Sequence, residues 1–260
     1  MATVNNSFII TVKDLSFGYH RDKAVLSNVN CNIAEHEFTV IMGKNGSGKS
    51  TLLRNIGGIV PYHTGSIKIK GKELKRLHPL RRAGYIGFLA QHHKAVFPFK
   101  VKEVVLTGRA SYIRYLPKKQ DEYETAKAME MAGIYSLKNR IYSELSGGEQ
   151  QLVMIARILA QQPDVLLMDE PISHLDYNNQ LRIIKMIKQL VKSGVTVVAV
   201  LHEPNMAYLF GNRFIYIHNK TAHMVEQENP WEHPLVNEIF HDDLRAVEHK
   251  GKYVFIPQLS

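Results

Sequence analysis

Residues Gly43-Lys44-Asn45-Gly46-Ser47-Gly48-Lys49-Ser50 follow the pattern GxxxxGK[ST], and nothing else in the chain constrains its fold as strongly. Glycines at 43, 46 and 48 let the backbone turn tightly enough to aim successive N–H groups at one point. A helix that starts there adds its partial positive charge, so the nest suits phosphate oxygens. The flanks agree. Phe38 to Met42 is an apolar run that reads as a buried strand, and Ser50 to Ile59 reads as a helix. In a strand–loop–helix of this kind Lys49 bridges the outer phosphates of a nucleotide, and Ser50 supplies a hydroxyl to a Mg²⁺ ion.

The remaining pattern predicts an α/β chain. Alternating segments at Phe8 to Val12 and Val25 to Ile33 precede the loop, and Ser66 to Lys70 and Gly84 to Leu89 follow it as further strands. From about 92 to 160 the pattern turns helical, at Lys102 to Leu106, Asp121 to Met131 and Gln150 to Ala160. Val165 to Met168 and Val195 to Leu201 are short and almost wholly apolar, as strands of a parallel sheet covered on both faces are. Between them Leu181, Ile184, Ile187 and Val191 share one face of a helix over Leu175 to Lys192. Small strands and a Pro-bounded segment around Trp231 close the chain. Residues 1–260 therefore read as a single domain with a mainly parallel core and a helical insertion at about 92–160.

Composition excludes several classes. The longest apolar run, Val195 to Leu201, falls far short of the ~20 residues a membrane-spanning helix needs. No charged-then-apolar leader opens the sequence, and the expectation is a cytoplasmic protein. The one cysteine, Cys31, alternates with Val29 and Ile33 and reads as a core thiol. A net charge of +9 suits phosphates, an anionic membrane face or nucleic acid. Within its densest stretch (Lys68, Lys70, Lys72, Lys75, Arg76, Arg81, Arg82), Lys68 and Lys70 alternate with Ile67 and Ile69, as the solvated side of a half-buried strand would. Thirteen histidines include no HExxH and no Cys/His cluster, and His92-His93 stands in an expected loop.

Two further constellations carry chemistry. Asp169 emerges where the run Val165 to Met168 stops, the place from which a carboxylate holds Mg²⁺ through water. Glu170 follows it, and by strand alternation it faces the other way, toward an attacking water, as a general base. Leu145-Ser146-Gly147-Gly148-Glu149-Gln150-Gln151 contains an S-x-x-E capping box over Ser146 and Glu149. Capping leaves two glycines in the first turn unexplained, because each costs up to about 1 kcal/mol in a helix interior. Close approach of an anion to the backbone accounts for them.

With these motifs in order, the chain resembles the ABC ATPases, whose hallmark is LSGGQ followed by a helix; here Glu149 takes the fifth place. The resemblance spans about residues 8 to 225 and implies a P-loop NTPase fold, with a RecA-like core, an antiparallel β subdomain on the N-terminal side and the helical insertion. It implies that Tyr19 stacks on adenine and that Gly43, Asn45, Gly46, Ser47, Gly48, Lys49, Ser50 and Thr51 hold the ATP phosphates. Gln91 joins Ser50 and Asp169 around Mg²⁺, and Glu170 and His202 serve the attacking water. Ser173-His174-Leu175-Asp176 matches the loop that crosses the dimer seam; its residues alone read as a second capping box. Ser146, Gly147 and Gly148 of one copy would close over ATP held by the other, so the partner is a second copy, head to tail. Departures are His36, where a glycine is common, and His202-Glu203-Pro204, where His-Asp-Leu is usual.

Thr107-Gly108-Arg109 and His174 resemble the ATPases of metal-chelate importers, which handle siderophores, haem or cobalamin. That implies integral permease subunits, an extracytoplasmic binding protein and a peripheral position on the cytoplasmic face of the membrane. Importers of zinc, manganese or other small solutes remain open, as does an ABC ATPase in cofactor assembly. Nucleic acid is not an expected partner: DNA-end relatives separate Lys49-type and Ser146-type motifs by long coiled coils, and ribosomal relatives join two copies in one chain.

Overall fold

A computed structural model of the chain describes residues 7–20, 22–91, 98–225, 232–240, 244–249 and 252–257. His92, His93 and Trp231 lie outside the described residues. The architecture is α/β, in two units: Met1–Lys75 with Ala199–Ser260, and Arg76–Val198.

The first unit opens with β1 (Phe8–Phe17) and β2 (Leu26–Ala34), an antiparallel pair. β3 (Phe38–Met42) is buried at every position and runs into α1 (Lys49–Ile56). β4 (Thr64–Ile69) and β5 (Lys72–Glu73) extend the antiparallel sheet to the order β2-β1-β4-β5. Along β4 Ile67 and Ile69 point inward while Lys68 between them is exposed, as the alternation predicts; Arg81 and Arg82, further along the basic stretch, lie on a helix instead. Cys31 pairs with Val12 and is buried, and desolvation pushes its thiol up to about 12. The helix expected to reach Ile59 stops at Ile56, because Gly57 and Gly58 turn the chain and Asn55 Nδ2 donates to the Val60 carbonyl at 3.0 Å.

The second unit holds α2 (Pro79–Tyr85), β6 (Ile86–Leu89), α3 (Val101–Leu106), α4 (Lys119–Met131), α5 (Gly147–Ala160), β7 (Val165–Asp169) and α6 (Tyr177–Lys192). β8 (Thr196–Val200) then carries the chain from this unit back into the first. β6 and β7 pair in parallel, and β7 and β8 are buried throughout. A strand expected from Gly84 begins at Ile86 instead. Pro79 at the first helical position and His78 Nδ1, which accepts from the Leu80 N–H, start a helix that takes Gly84 and Tyr85.

α3, α4 and α5 meet around Thr107-Gly108-Arg109. A Cβ on Gly108 would stand 1.9 Å from the Arg157 carbonyl, so the helices approach only because none is there. Arg157 Nε donates to Thr107 Oγ1 at 2.8 Å. Arg109 is 4% exposed; it donates to Asp121 Oδ1 (3.2 Å), to the Ala160 carbonyl (2.9 Å) and to Gln162 Oε1 (2.9 Å). The tripeptide is a clamp on three helix ends.

Back in the first unit, α7 (Pro204–Phe210) leads to β9 (Arg213–His218), which pairs with β3 in parallel and with β10 (Thr221–Val225) antiparallel. α8 (Pro234–Phe240) and the hairpin of β11 (Leu244–His249) and β12 (Lys252–Pro257) complete it. Among the described residues no helix is long and apolar enough to cross a membrane.

Candidate functional site

The glycine loop is seated on β9. Where β3 ends the chain turns through Gly43 (φ +143°), and a Cβ there would lie 2.4 Å from the Ile217 carbonyl. That close approach and that φ leave room for glycine alone. Lys44, Asn45 and Gly46 are exposed at the tip. Gly48 (φ +108°) precedes α1 in the left-handed region, and no side chain caps the helix. The first N–H groups of α1 therefore have no side-chain acceptor. Ser47 Oγ is buried and has no hydrogen-bond partner among the described residues. A bare helix start beside an orphaned hydroxyl fits an anion with oxygen acceptors.

Lys49 is buried, and its Nζ donates to the carbonyls of Gly43 and Lys44, each at 2.9 Å. These two bonds tie the ammonium to the loop's own carbonyls. A phosphate oxygen is the stronger partner, because its hydrogen bond is charge-assisted on both sides. Ser50 is half-buried in the first turn of α1, and Thr51 Oγ1 lies 3.3 Å from the Tyr19 hydroxyl. Tyr19 stands edge-on to Phe17 at 5.0 Å with 54% of its surface exposed, which fits a fixed ring available for stacking. In the same unit the Leu201 N–H donates to the Ile41 carbonyl at 3.3 Å, so the exposed His202 emerges beside the strand that feeds the loop.

The second unit holds the carboxylates and the Ser146 segment. Asp169 ends β7 fully buried. Glu170 departs from the expected strand alternation: β7 has stopped and Glu170 adopts φ +53°, so a left-handed turn, not the pleat, aims its side chain. Its Oε2 accepts from Gln91 Nε2 at 2.7 Å and from Ser173 Oγ at 2.9 Å. Gln91, an expected Mg²⁺ ligand, thus stands within hydrogen-bond reach of Glu170. Ser50 in the first unit and Asp169 in the second each offer a hard oxygen donor, the kind of ligand Mg²⁺ takes.

The capping box at α5 is formed: Ser146 Oγ accepts from the Glu149 N–H at 3.3 Å, and the Ser146 N–H donates to Glu149 Oε2 at 3.0 Å. That backbone N–H holds the Glu149 carboxyl below the usual range, with Arg140 and Arg182 adding to it. Ser146 and Gly147 are exposed and Gly148 is buried. The two glycines have different causes. At Gly147 a Cβ would meet only Leu175 Cδ2 at 3.9 Å, so this position stays open to a ligand. At Gly148 it would meet Asn179 Cγ at 2.4 Å, so intrachain packing already demands glycine. The second capping box expected over Ser173 and Asp176 does not form. Asp176, not Ser173, caps α6, accepting from the Asn179 N–H at 2.9 Å, while Ser173 holds Glu170. Residues the motifs did not flag are therefore Ser173 as an anchor of Glu170, Asn179, and Gln151, whose Nε2 donates to the Pro171 carbonyl at 3.0 Å. The available signal for Asn179 was its place three residues after a capping aspartate.

Comparison with known proteins places the chain in a family. A family model described as ABC transporter matches residues 26–173. Hemin import ATP-binding protein HmuV of Rhizobium etli is 39% identical over 203 residues, 75% of this chain and 76% of that protein. Among solved structures, a chain of a metal-chelate type ABC transporter in an inward-facing conformation aligns with a TM-score of 0.84 and 26% identity, over 97% of this chain and 98% of that one. The dimeric bacterial ABC transporter cassette MJ0796 aligns with a TM-score of 0.72 and 33% identity, over 82% and 96%.

Proposed function

This chain belongs to the ABC transporter family as an ATP-hydrolysing, nucleotide-binding subunit, and from that premise we propose that it powers import of a metal chelate of the haem, siderophore or cobalamin type. The observation that carries the nucleotide reading is the uncapped start of α1 beside the orphaned Ser47 hydroxyl. The substrate class is supported by the hemin importer and the metal-chelate transporter to which the chain is similar.

In this reading Tyr19 takes the adenine and the segment 43–51 takes the phosphates, with Lys49 leaving the loop carbonyls for phosphate oxygens. Ser50 and Gln91 would hold Mg²⁺, with Asp169 acting through water; the ion supplies charge neutralisation at the phosphates. Glu170 accepts a proton from the attacking water, and His202 orients that water and the terminal phosphate. Two copies associate head to tail, so that Ser146 and Gly147 of one reach ATP on the other while Asp176 lies in the loop at the seam. ATP favours the closed pair because only there are these contacts made. The helical segment at about 92–160 moves with closure and passes it to a separate permease at the cytoplasmic face of the membrane, which an extracytoplasmic binding protein supplies.

Co-purification from native membranes tests the assignment. A permease and a chelate-binding protein should accompany the chain, and recovery with a soluble assembly complex instead would reject transport. Light scattering tests the shared site separately: Glu170→Gln with millimolar ATP, in the permease-bound complex, should trap the closed pair.

A further inference from the structure

The starts of α5 and α6 meet through one side chain. The Asn179 amide lies where a Cβ on Gly148 would have to stand, with Cγ, Oδ1 and Nδ2 at 2.4, 2.6 and 2.7 Å from that position. We propose that Asn179 is a positioning residue that sets the spacing between the Ser146–Gly148 segment and the Ser173–Asp176 loop of the same chain.

The amide cannot swing aside freely. Its Nδ2 donates to Asp176 Oδ2 at 2.6 Å, and its backbone N–H donates to Asp176 Oδ1 at 2.9 Å. Both are charge-assisted bonds to a carboxylate, about twice as strong as neutral ones. The Asn179 N–H is also the first cause holding the Asp176 carboxyl below its ordinary range. A short side chain tied at its tip behaves as a rigid spacer, unlike a long one that could yield to an added methyl.

Further contacts hang the intervening loop from the same two helices. From α5, Gln151 Nε2 donates to the Pro171 carbonyl at 3.0 Å. From α6, Gln180 Nε2 donates to the Leu175 carbonyl at 3.1 Å. Ser173 in that loop holds Glu170. A shift at Ser146 and Gly147 therefore reaches the loop and the residues beside the general base through Asn179. This consequence rests on the proposed role of Ser146 and Gly147 toward nucleotide; the spacer itself rests on geometry alone.

The test uses the full chain with Gly148→Ala, Asn179→Ala and the double variant, read by melting temperature and by steady-state ATP hydrolysis. Gly148→Ala should lower both. On the Asn179→Ala background its further effect on kcat should shrink about tenfold, as contacting residues couple. Asn179→Ala alone should lower kcat several-fold with KM for ATP unchanged, because segment 43–51 is untouched; a purely structural role would lower the melting temperature and spare kcat per folded molecule. Additive effects of the two substitutions on melting temperature, or an unchanged kcat in Asn179→Ala, would overturn the proposal. If the unsubstituted chain hydrolyses no ATP, the proposed function fails, and the melting temperatures alone still decide whether Asn179 and Gly148 are coupled.

Discussion

Gln91 Nε2 donates to Glu170 Oε2 at 2.7 Å, so a residue just past the end of β6 holds the candidate base directly. The bond ties β6, which ends just before Gln91, to the turn that follows β7. Anything that pulls on Gln91 pulls on the carboxylate.

Glu170→Gln should lower kcat by roughly 10²–10⁴, the usual contribution of a general base, while nucleotide affinity is retained. Gln91→Ala should lower kcat less, because it removes an orienting donor and leaves the base. Phosphate release measured beside equilibrium nucleotide binding separates the two quantities. Loss of affinity in Glu170→Gln would show that its carboxylate supports the loop instead.

His36 sits in the turn between β2 and β3 with φ +58°, a region that costs a side-chain-bearing residue roughly 1–2 kcal/mol. Glycine removes that strain and gives back about half of it in unfolded-chain entropy. His36→Gly should raise stability by up to about 1 kcal/mol, and the melting temperature by about 2–4 °C for a chain of this size. Calorimetry checks the sign.

Gly108→Ala should destabilise the Arg76–Val198 unit by about 1–3 kcal/mol, the usual range for overpacking, because its methyl would displace the Arg157 carbonyl. Arg109→Leu should act in the same direction, since it leaves the buried Asp121 carboxylate without its guanidinium. Denaturant midpoints of the full chain report both.

Three helix starts are held by carboxylates with depressed pKa values: Asp121 at α4 by the Lys118 N–H, Glu149 at α5 by the Ser146 N–H, and Asp176 at α6 by the Asn179 N–H. Each titrates lower folded than unfolded. The unfolded chain therefore binds more protons as pH falls, and the stability these groups contribute is complete above the ordinary carboxylate range. It is lost below about pH 4, as pH falls through their folded values. Glu149→Gln and Asp176→Asn should flatten that acid slope in denaturant titrations from pH 7 to pH 3.

Much of the site was legible because its parts are contiguous. The glycine loop, the Asp169-Glu170 pair and the Ser146 capping box each occupy a few adjacent residues, and the strands beside them are short apolar runs whose period states their burial. Errors fell where a local pattern had two physical readings. Gly84 and Tyr85 looked like the start of a strand, but Pro79 and His78 had already begun a helix through them. Ser173 and Asp176 looked like a capping box, but Asp176 caps α6 and Ser173 is spent on Glu170. Strand alternation misdirected Glu170 because the chain leaves the sheet one residue earlier.

What the linear chain determined by itself was which residues could meet phosphate, water and metal, since hydrogen-bonding capacity, glycine freedom and helix polarity belong to short segments. Why particular residues are required was decided only in three dimensions. Gly43 is needed by a carbonyl on β9, Gly108 by one on α5, and Gly148 by the Asn179 side chain. Each of those partners is distant along the chain, and a Cβ clash exists only once packing has brought the two backbones together.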